Sequence, residues 1–396
     1  MLDKETEKEI FSLVEQSVED ENFRKYAIDL RSILHNGSVD FIRLVIYGRD
    51  NNNFIKEMDL IVKVIETKSA VRMGIIRSLR RAFRREIFIY QKLFPMMEQF
   101  QRQKYAEYPF ERTLLVCYRT IETEDGKLAI MFNDLKKLHF THLNPRKPMS
   151  INNMKFVLTQ YARFHAVCFA LRDQRNGLFE EELQKFDRID KDTFTEETII
   201  NMIESGITTT IKTLTDTNQL ELRQKFVNFT ERGISRILED VLSNIPEEWV
   251  IIHGDGWNEN FVFQHKDDKK EIPSELCIFN WQFSTIHSPV LDLALFLYFV
   301  SSKEELLQFD ELVRFYHEHL CLVLSSLGSD PKQLFPFSTV IDHWKKFSSY
   351  ALLLVATGLP GICARQPETM SLLPDEDLYK ERISAVIEHY FRTIEG

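Results

Sequence analysis

At 396 residues, 44% apolar and 28% charged, the chain is long enough for two lobes with separate cores and has the composition of an ordinary soluble globular protein. A net charge of −10 argues against a protein built mainly to hold nucleic acid or an anionic membrane, since either task favours a basic surface. With 31 Phe against 13 Gly the balance favours helix-heavy packing, and 5 scattered cysteines without a CxxC exclude a zinc framework and suit a reducing compartment.

The N-terminal stretch MLDKETEKEIFSLVEQ is acidic and amphipathic, unlike the basic-then-apolar layout of a signal peptide, so the cytoplasm is the expected location. The first 34 residues are expected to form one or two helices. Residues 39–65 read as strands, VDFIRLVIYG and EMDLIVKVIE around the polar turn RDNNN. A helix over residues 74–94 follows, stopped by Pro95. Its basic run RSLRRAFRRE, residues 77–86, reads as a solvated helix face. Two further strands are expected at TLLVCYRTIE and KLAIMFNDL.

After the loop-like THLNPRKPM, Ser150 is placed to cap a helix reaching residue 171, whose apolar positions Met154, Val157, Leu158, Tyr161, Phe164, Cys168 and Leu171 share one face. Residues 178–245 read as helices with polar joints. Next comes an apolar strand, WVII at residues 249–252, then ENFVF, a charged turn and a second apolar strand, ELCIFNWQ. Residues 289–396 read as helical, and the apolar YALLLVATGLPGIC is too short and too interrupted by Gly and Pro to cross a bilayer. The fold class expected is therefore α+β: a small β-rich lobe over residues 1–135 and a larger helical lobe over residues 136–396 with a hairpin at its heart.

Three features place polar groups in apolar surroundings. Lys63, in DLIVKVIE, either lies on an edge strand with its tip in water or is buried and paired, because an unpaired buried ammonium is costly. Glu86 borders the apolar helix face of Phe83, Ile87, Tyr90 and Phe94, and a strand lysine facing a helix glutamate is how kinases fix the lysine that holds nucleotide phosphates. Directly after WVII, His253, Asp255 and Asn260 follow the spacing H-x-D-x-x-x-x-N. Phosphoryl transfer needs a carboxylate to take the nucleophile's proton and an acceptor side chain to hold metal beside the triphosphate, and this spacing supplies both. The bland alternative is a polar loop in which Asp255 and Asn260 satisfy backbone donors. A kinase also needs an Asp at the end of the next strand, where this chain has Asn280.

Taken together, IVKV, FRREIFIYQKLFP, IMFNDL, YARFHAVCFAL, HGDGWNENFVF and FNWQFSTIHSPVLDLALFLYF resemble the ecdysteroid kinase-like family, whose CHK kinase-like domain is related to choline kinases and aminoglycoside phosphotransferases. The resemblance implies a protein-kinase-like two-lobed fold that uses ATP and Mg²⁺ to phosphorylate a hydroxyl of a small molecule, such as an ecdysteroid or another alcohol. By position, it implies that Lys63 binds the phosphates and Glu86 orients it, and that Asp255 is the catalytic base, braced by His253. Asn260 would be a metal ligand, and the backbone of Phe132, Asn133, Asp134 and Leu135 would meet the adenine. Gly37 would lend flexibility to the loop covering the nucleotide, while His165 and Asp292, within apolar helices, would be structural. Asn280 stands where the family has its principal magnesium-binding Asp; as a neutral ligand it removes a charge and an oxygen, which predicts weakened metal binding. Two functions stay open on this reading: a small-molecule kinase, or a pseudokinase that binds nucleotide or an apolar ligand without efficient turnover. Neither nucleic acid nor a membrane is an expected partner.

Overall fold

A computed structural model describes residues 11, 14–15, 23–36, 39–65, 75–110, 115–122, 128–189, 191–364 and 376–395. The chain separates into two compact units, Met1–Phe83 with Leu114–Phe140 and Arg84–Thr113 with Thr141–Gly396.

The first unit is built on a five-stranded antiparallel sheet: β1 (Phe23–Asn36), β2 (Val39–Asp50), β3 (Ile55–Ile65), β4 (Cys117–Glu122) and β5 (Leu128–Asn133), in the order β1-β2-β3-β5-β4. Alternate residues of adjacent strands, Ile42, Leu44 and Ile46 with Met58, Leu60 and Val62, are buried in one cluster, as a pleat with a period of two requires. Where the sequence led to an expected helix, Phe23–Asn36 forms β1, and most of residues 1–22 lie outside the described residues. Phe23, Tyr26, Ala27, Leu30, Ile33 and Leu34 do fall on one face of a helix, but Ile28, Leu30 and Ile33 also fit a strand carrying a bulge. Pairing along β2, from Phe23 opposite Asp50 to Asn36 opposite Val39, selects the second pattern and packs Ile28, Leu30 and Ile33 on the sheet core. Gly37 lies outside the described residues.

The helix after β3, α1 (Ile76–Phe88), is not stopped by Pro95. It passes through a π turn, Ile89–Leu93, into α2 (Phe94–Lys104). The widened turn lets the Phe94 N–H reach the Ile89 carbonyl, and Pro95 then sits in the first turn of α2, where a missing N–H costs least.

The second unit is helical around two small sheets. Ser150 caps α3 (Ile151–Leu183), which runs further than expected and has its non-helical residue at Arg175. Then follow α4 (Glu197–Asp216), α5 (Leu220–Thr230) and α6 (Ile234–Leu242). Strand β6 (Thr141–His142) pairs with β8 (Phe261–His265), and β8 with β9 (Pro273–Ile278), while β7 (Val250–Ile252) pairs with β10 (Thr285–His287). Helices α7 (Val290–Val300), α8 (Lys303–Leu306), α9 (Phe309–Ser326), α10 (Pro331–Leu334), α11 (Phe337–Ala364) and α12 (Glu376–Glu395) complete the unit. Apolar nearly all round, α7 is enclosed on every side, as such a helix must be.

Pro360 likewise fails to end its helix. The Ala356 carbonyl, which would take the N–H of residue 360, packs on the Cα of Gly206, where an added Cβ would lie 2.6 Å from that oxygen. Among the described residues one helical stretch, Pro331–Ala364, is long and apolar enough to cross a membrane, contrary to the shorter apolar run expected, and 67% of its apolar window is buried inside the protein. All five cysteines are free thiols.

Candidate active site

The loop after β7 begins with His253 and is held from behind by Asp292 in the first turn of α7. Asp292 has no exposed surface; its Oδ2 accepts the His253 N–H at 2.7 Å and its Oδ1 the Gly254 N–H at 2.7 Å. Oδ2 also meets His165 Nε2 at 3.0 Å, and His165 Nδ1 meets the Tyr316 hydroxyl at 2.8 Å. The carboxylate is an acceptor only, which assigns a proton to His165 Nε2, and burial pushes the pKa of the Tyr316 hydroxyl well up.

His253 Nε2 lies 3.0 Å from the Phe279 carbonyl, an acceptor only, which assigns the proton to Nε2 and leaves Nδ1 to accept from the Tyr161 hydroxyl at 3.3 Å. Burial lowers the pKa of His253, the Asp292 charge opposing that shift in part. Its ring packs edge-on against the buried Trp281 at 4.7 Å. His253 thus ties β7 to the end of β9.

Gly254 makes the turn toward Asp255 with φ of +79°, and a Cβ there would fall 2.2 Å from the Phe283 carbonyl oxygen. Only glycine fits, for space as well as conformation. Neither Gly254 nor Tyr161 is among the site residues expected from the sequence, where Tyr161 counts only as an apolar helix position; the glycine inside H-G-D at the end of an apolar strand is the available signal.

Beyond the turn, three side chains converge. Asn260 Nδ2 donates to the Asp255 carboxylate Oδ2 at 2.7 Å and to the Asp255 main-chain carbonyl at 2.8 Å. Both partners are acceptors, which orients the Asn260 amide and makes its Oδ1 the acceptor for Asn280 Nδ2 at 3.1 Å. Asn280 Nδ2 also lies 3.5 Å from Asp255 Oδ2. The backbone at Asn280 is left-handed, φ 67° and ψ 50°, a conformation asparagine tolerates well, and it turns the side chain back toward the loop. The adjoining Phe279 N–H bonds the Asn260 carbonyl at 3.2 Å. The loop spacing and the strand that follows it therefore bring Asp255, Asn260 and Asn280 to one place.

These residues do not fit a firmly held magnesium ion. Asn260 and Asn280, the two positions expected to ligate it, carry no negative charge, and the Asn260 Oδ1 is already an acceptor for Asn280. Asp255 is the one carboxylate of the trio, whereas hard cations in such sites rely on several charged oxygens. Among the described residues no group of three or more His, Cys, Asp or Glu side chains is placed to hold a metal.

Lys63 belongs to the first unit, Glu86 to the second. Lys63 sits on the interior strand β3, opposite Phe41 of β2 and Ile130 of β5, and is 3% exposed, which removes the edge-strand alternative. Its ammonium lies 5.2 Å from the Phe83 ring centre. Glu86 is buried on α1. So is its neighbour Arg85, whose Nε donates to the Gln282 carbonyl at 2.8 Å. The basic run is accordingly not solvated throughout: Arg85 docks on the turn that follows Asn280. At the end of β5, Phe132 pairs with Ile61 and Cys117, while the Asn133 and Asp134 N–H groups bond the Val116 and Asp59 carbonyls. Asp134 caps a short 3₁₀ turn beginning at Leu135 and pairs with Arg43 at 3.3 Å.

No curated protein matches the chain. A family model described as the ecdysteroid kinase-like family matches residues 38–329, a span that holds β2 through α9 and every side chain of the Asp292-anchored loop. The α+β architecture, an antiparallel sheet at the N-terminus and helices after it, agrees with that match, and the chain belongs to the ecdysteroid kinase-like family.

Proposed function

We propose that the chain transfers the terminal phosphate of ATP to a hydroxyl of a small molecule, with Asp255 as the base that takes the hydroxyl proton. Membership of a family of kinase-like phosphotransferases supports the reaction class. The observation that carries the reading is the support around Asp255: its carboxylate is aimed by Asn260 at 2.7 Å, on a loop whose first two N–H groups are fixed by buried Asp292. A base pinned in this way keeps its geometry during proton transfer. On the same reading Lys63 offsets phosphate charge, Glu86 orients Lys63, the segment Phe132, Asn133, Asp134 and Leu135 meets the adenine, and Gly37 serves the loop covering the nucleotide. The acceptor we favour is a steroid alcohol of the ecdysteroid type. Because neither Asn260 nor Asn280 is charged, stabilisation of the transferring phosphate is reduced and turnover is slow.

Radiolabelled ATP with a panel of ecdysteroids and non-steroid alcohols tests this reading. Labelled phosphoester is expected with native protein, and Asp255→Ala should lower the rate by about 10²–10⁴-fold.

A second reading, a pseudokinase that binds nucleotide or an apolar ligand without efficient turnover, is favoured by one observation: the Asn280 amide donates to the very oxygen of Asn260 that would hold a metal. ATP binding of equal strength with and without Mg²⁺, and no phosphoester from any alcohol, would select it.

A further inference from the structure

The mismatch between Asn280 and a metal site has a physical counterpart in the hydrogen bonds that join the trio. Asn280 Nδ2 lies 3.1 Å from Asn260 Oδ1 and 3.5 Å from Asp255 Oδ2, so its N–H bonds present partial positive charge to the Asn260 oxygen expected to ligate a cation and to the carboxylate beside it. Asn260 is 2% exposed and its remaining donors are spent on Asp255. A carboxylate at position 280 would set an oxygen against Asn260 Oδ1 and a second negative charge beside Asp255, a repulsion that a bound cation or a proton relieves.

We propose that the Asn280 amide is a built-in substitute for the cation: it bridges Asn260 and Asp255 by hydrogen bonds, so the catalytic loop is fully formed without Mg²⁺ and gains nothing from it. The left-handed backbone at residue 280, φ 67°, admits asparagine and aspartate alike, so Asn280→Asp changes the charge and the donor without straining the turn. The inference rests on the phosphotransfer reading for its significance, but its test reads folding and metal binding, which do not depend on turnover.

The full chain, native and Asn280→Asp, is melted in a chelator and in millimolar Mg²⁺, and Mn²⁺ binding to the native protein is followed in parallel by titration calorimetry. The native melting temperature should be the same in both media, and no Mn²⁺ should bind. Asn280→Asp should melt about 3 °C or more below native in the chelator and recover with Mg²⁺. A native melting temperature that rises with Mg²⁺, stoichiometric Mn²⁺ binding by native protein, or an Asn280→Asp variant as stable as native in the chelator would each overturn the proposal. Should the variant fail to fold, the native melts and the calorimetry decide alone. Loss of the phosphotransfer reading, seen as absent phosphoester, leaves all of these measurements unchanged.

Discussion

The Asp292 carboxylate holds two consecutive backbone N–H groups, those of His253 and Gly254, each at 2.7 Å and from 39 and 38 residues away in sequence. It is the joint between an otherwise apolar helix and the loop that carries Asp255. An asparagine in its place would keep one acceptor oxygen and turn an NH₂ group toward a backbone donor. Asp292→Asn should therefore cost about 3–5 kcal/mol in urea unfolding, the range for breaking a buried charged hydrogen-bonding group. Faster hydrogen exchange should appear first at the amides of residues 253 and 254. Unaltered protection there would show that the loop holds itself without Asp292.

The approach of α4 to α11 depends on Gly206. A Cβ at this position would lie 2.6 Å from both the Ala356 carbonyl oxygen and the Thr357 Cα, and backbone atoms cannot swing aside. Gly206→Ala should destabilise the protein by about 1–3 kcal/mol through forced separation of the two helices, despite the gain in helix propensity. A thermal melt at or above the native temperature would refute the packing argument.

Arg382, on α12 beyond the matched family segment, is fully buried and donates to the carbonyls of Phe299 at 2.5 Å, Ser301 at 3.2 Å and Arg146 at 3.3 Å. Its charge faces the C-terminal end of α7, where the helix dipole is negative and carbonyls need donors. Arg382→Met should lose about 2–4 kcal/mol by chemical denaturation, since several carbonyls lose a charged donor together. Arg382→Lys, with the charge but not the fork of donors, should fall between the two.

Several buried histidines should make stability fall in acid. Burial lowers His287 to about 4 and His389 to about 3, each from an ordinary value of 6.5, and lowers His253 in the same direction. The unfolded chain protonates these groups below about pH 6.5 while the folded chain keeps them neutral, so stability is full above that pH and falls as acid is added. By pH 4.5, His287 and His389 should each account for roughly 2–3 kcal/mol of lost stability. His287→Phe should flatten the pH dependence of the denaturation midpoint between about pH 7 and pH 4.5, and a native midpoint constant over that range would contradict the assignment.

Some of this was legible from residues alone. The two-residue period of DFIRLVI marks β2, the H-x-D-x-x-x-x-N spacing marks a loop, and Ser150 marks the start of α3. Each is a local signal, carried by residues within a few positions of one another. Local signals misled where they were evenly balanced or where a proline was read without its surroundings. Residues 23–36 carry helical and strand periodicity together, Pro95 is absorbed by a π turn, and the carbonyl orphaned by Pro360 rests on Gly206.

The sequence by itself determined the family, the α+β class and the spacing that puts Asp255 and Asn260 on one loop, because each of those signals is carried by residues close together in the chain. Tertiary structure alone decided that Lys63 is on an interior strand, that Arg85 leaves the solvated face, and that Asp292 holds the loop. It also decided that Asn280 gives its amide protons to Asn260 and Asp255. Those relationships join residues 20 or more positions apart, and nothing in the spacing of the chain specifies them. They follow from which strands pair and which surfaces lose water, and these are properties of the folded molecule.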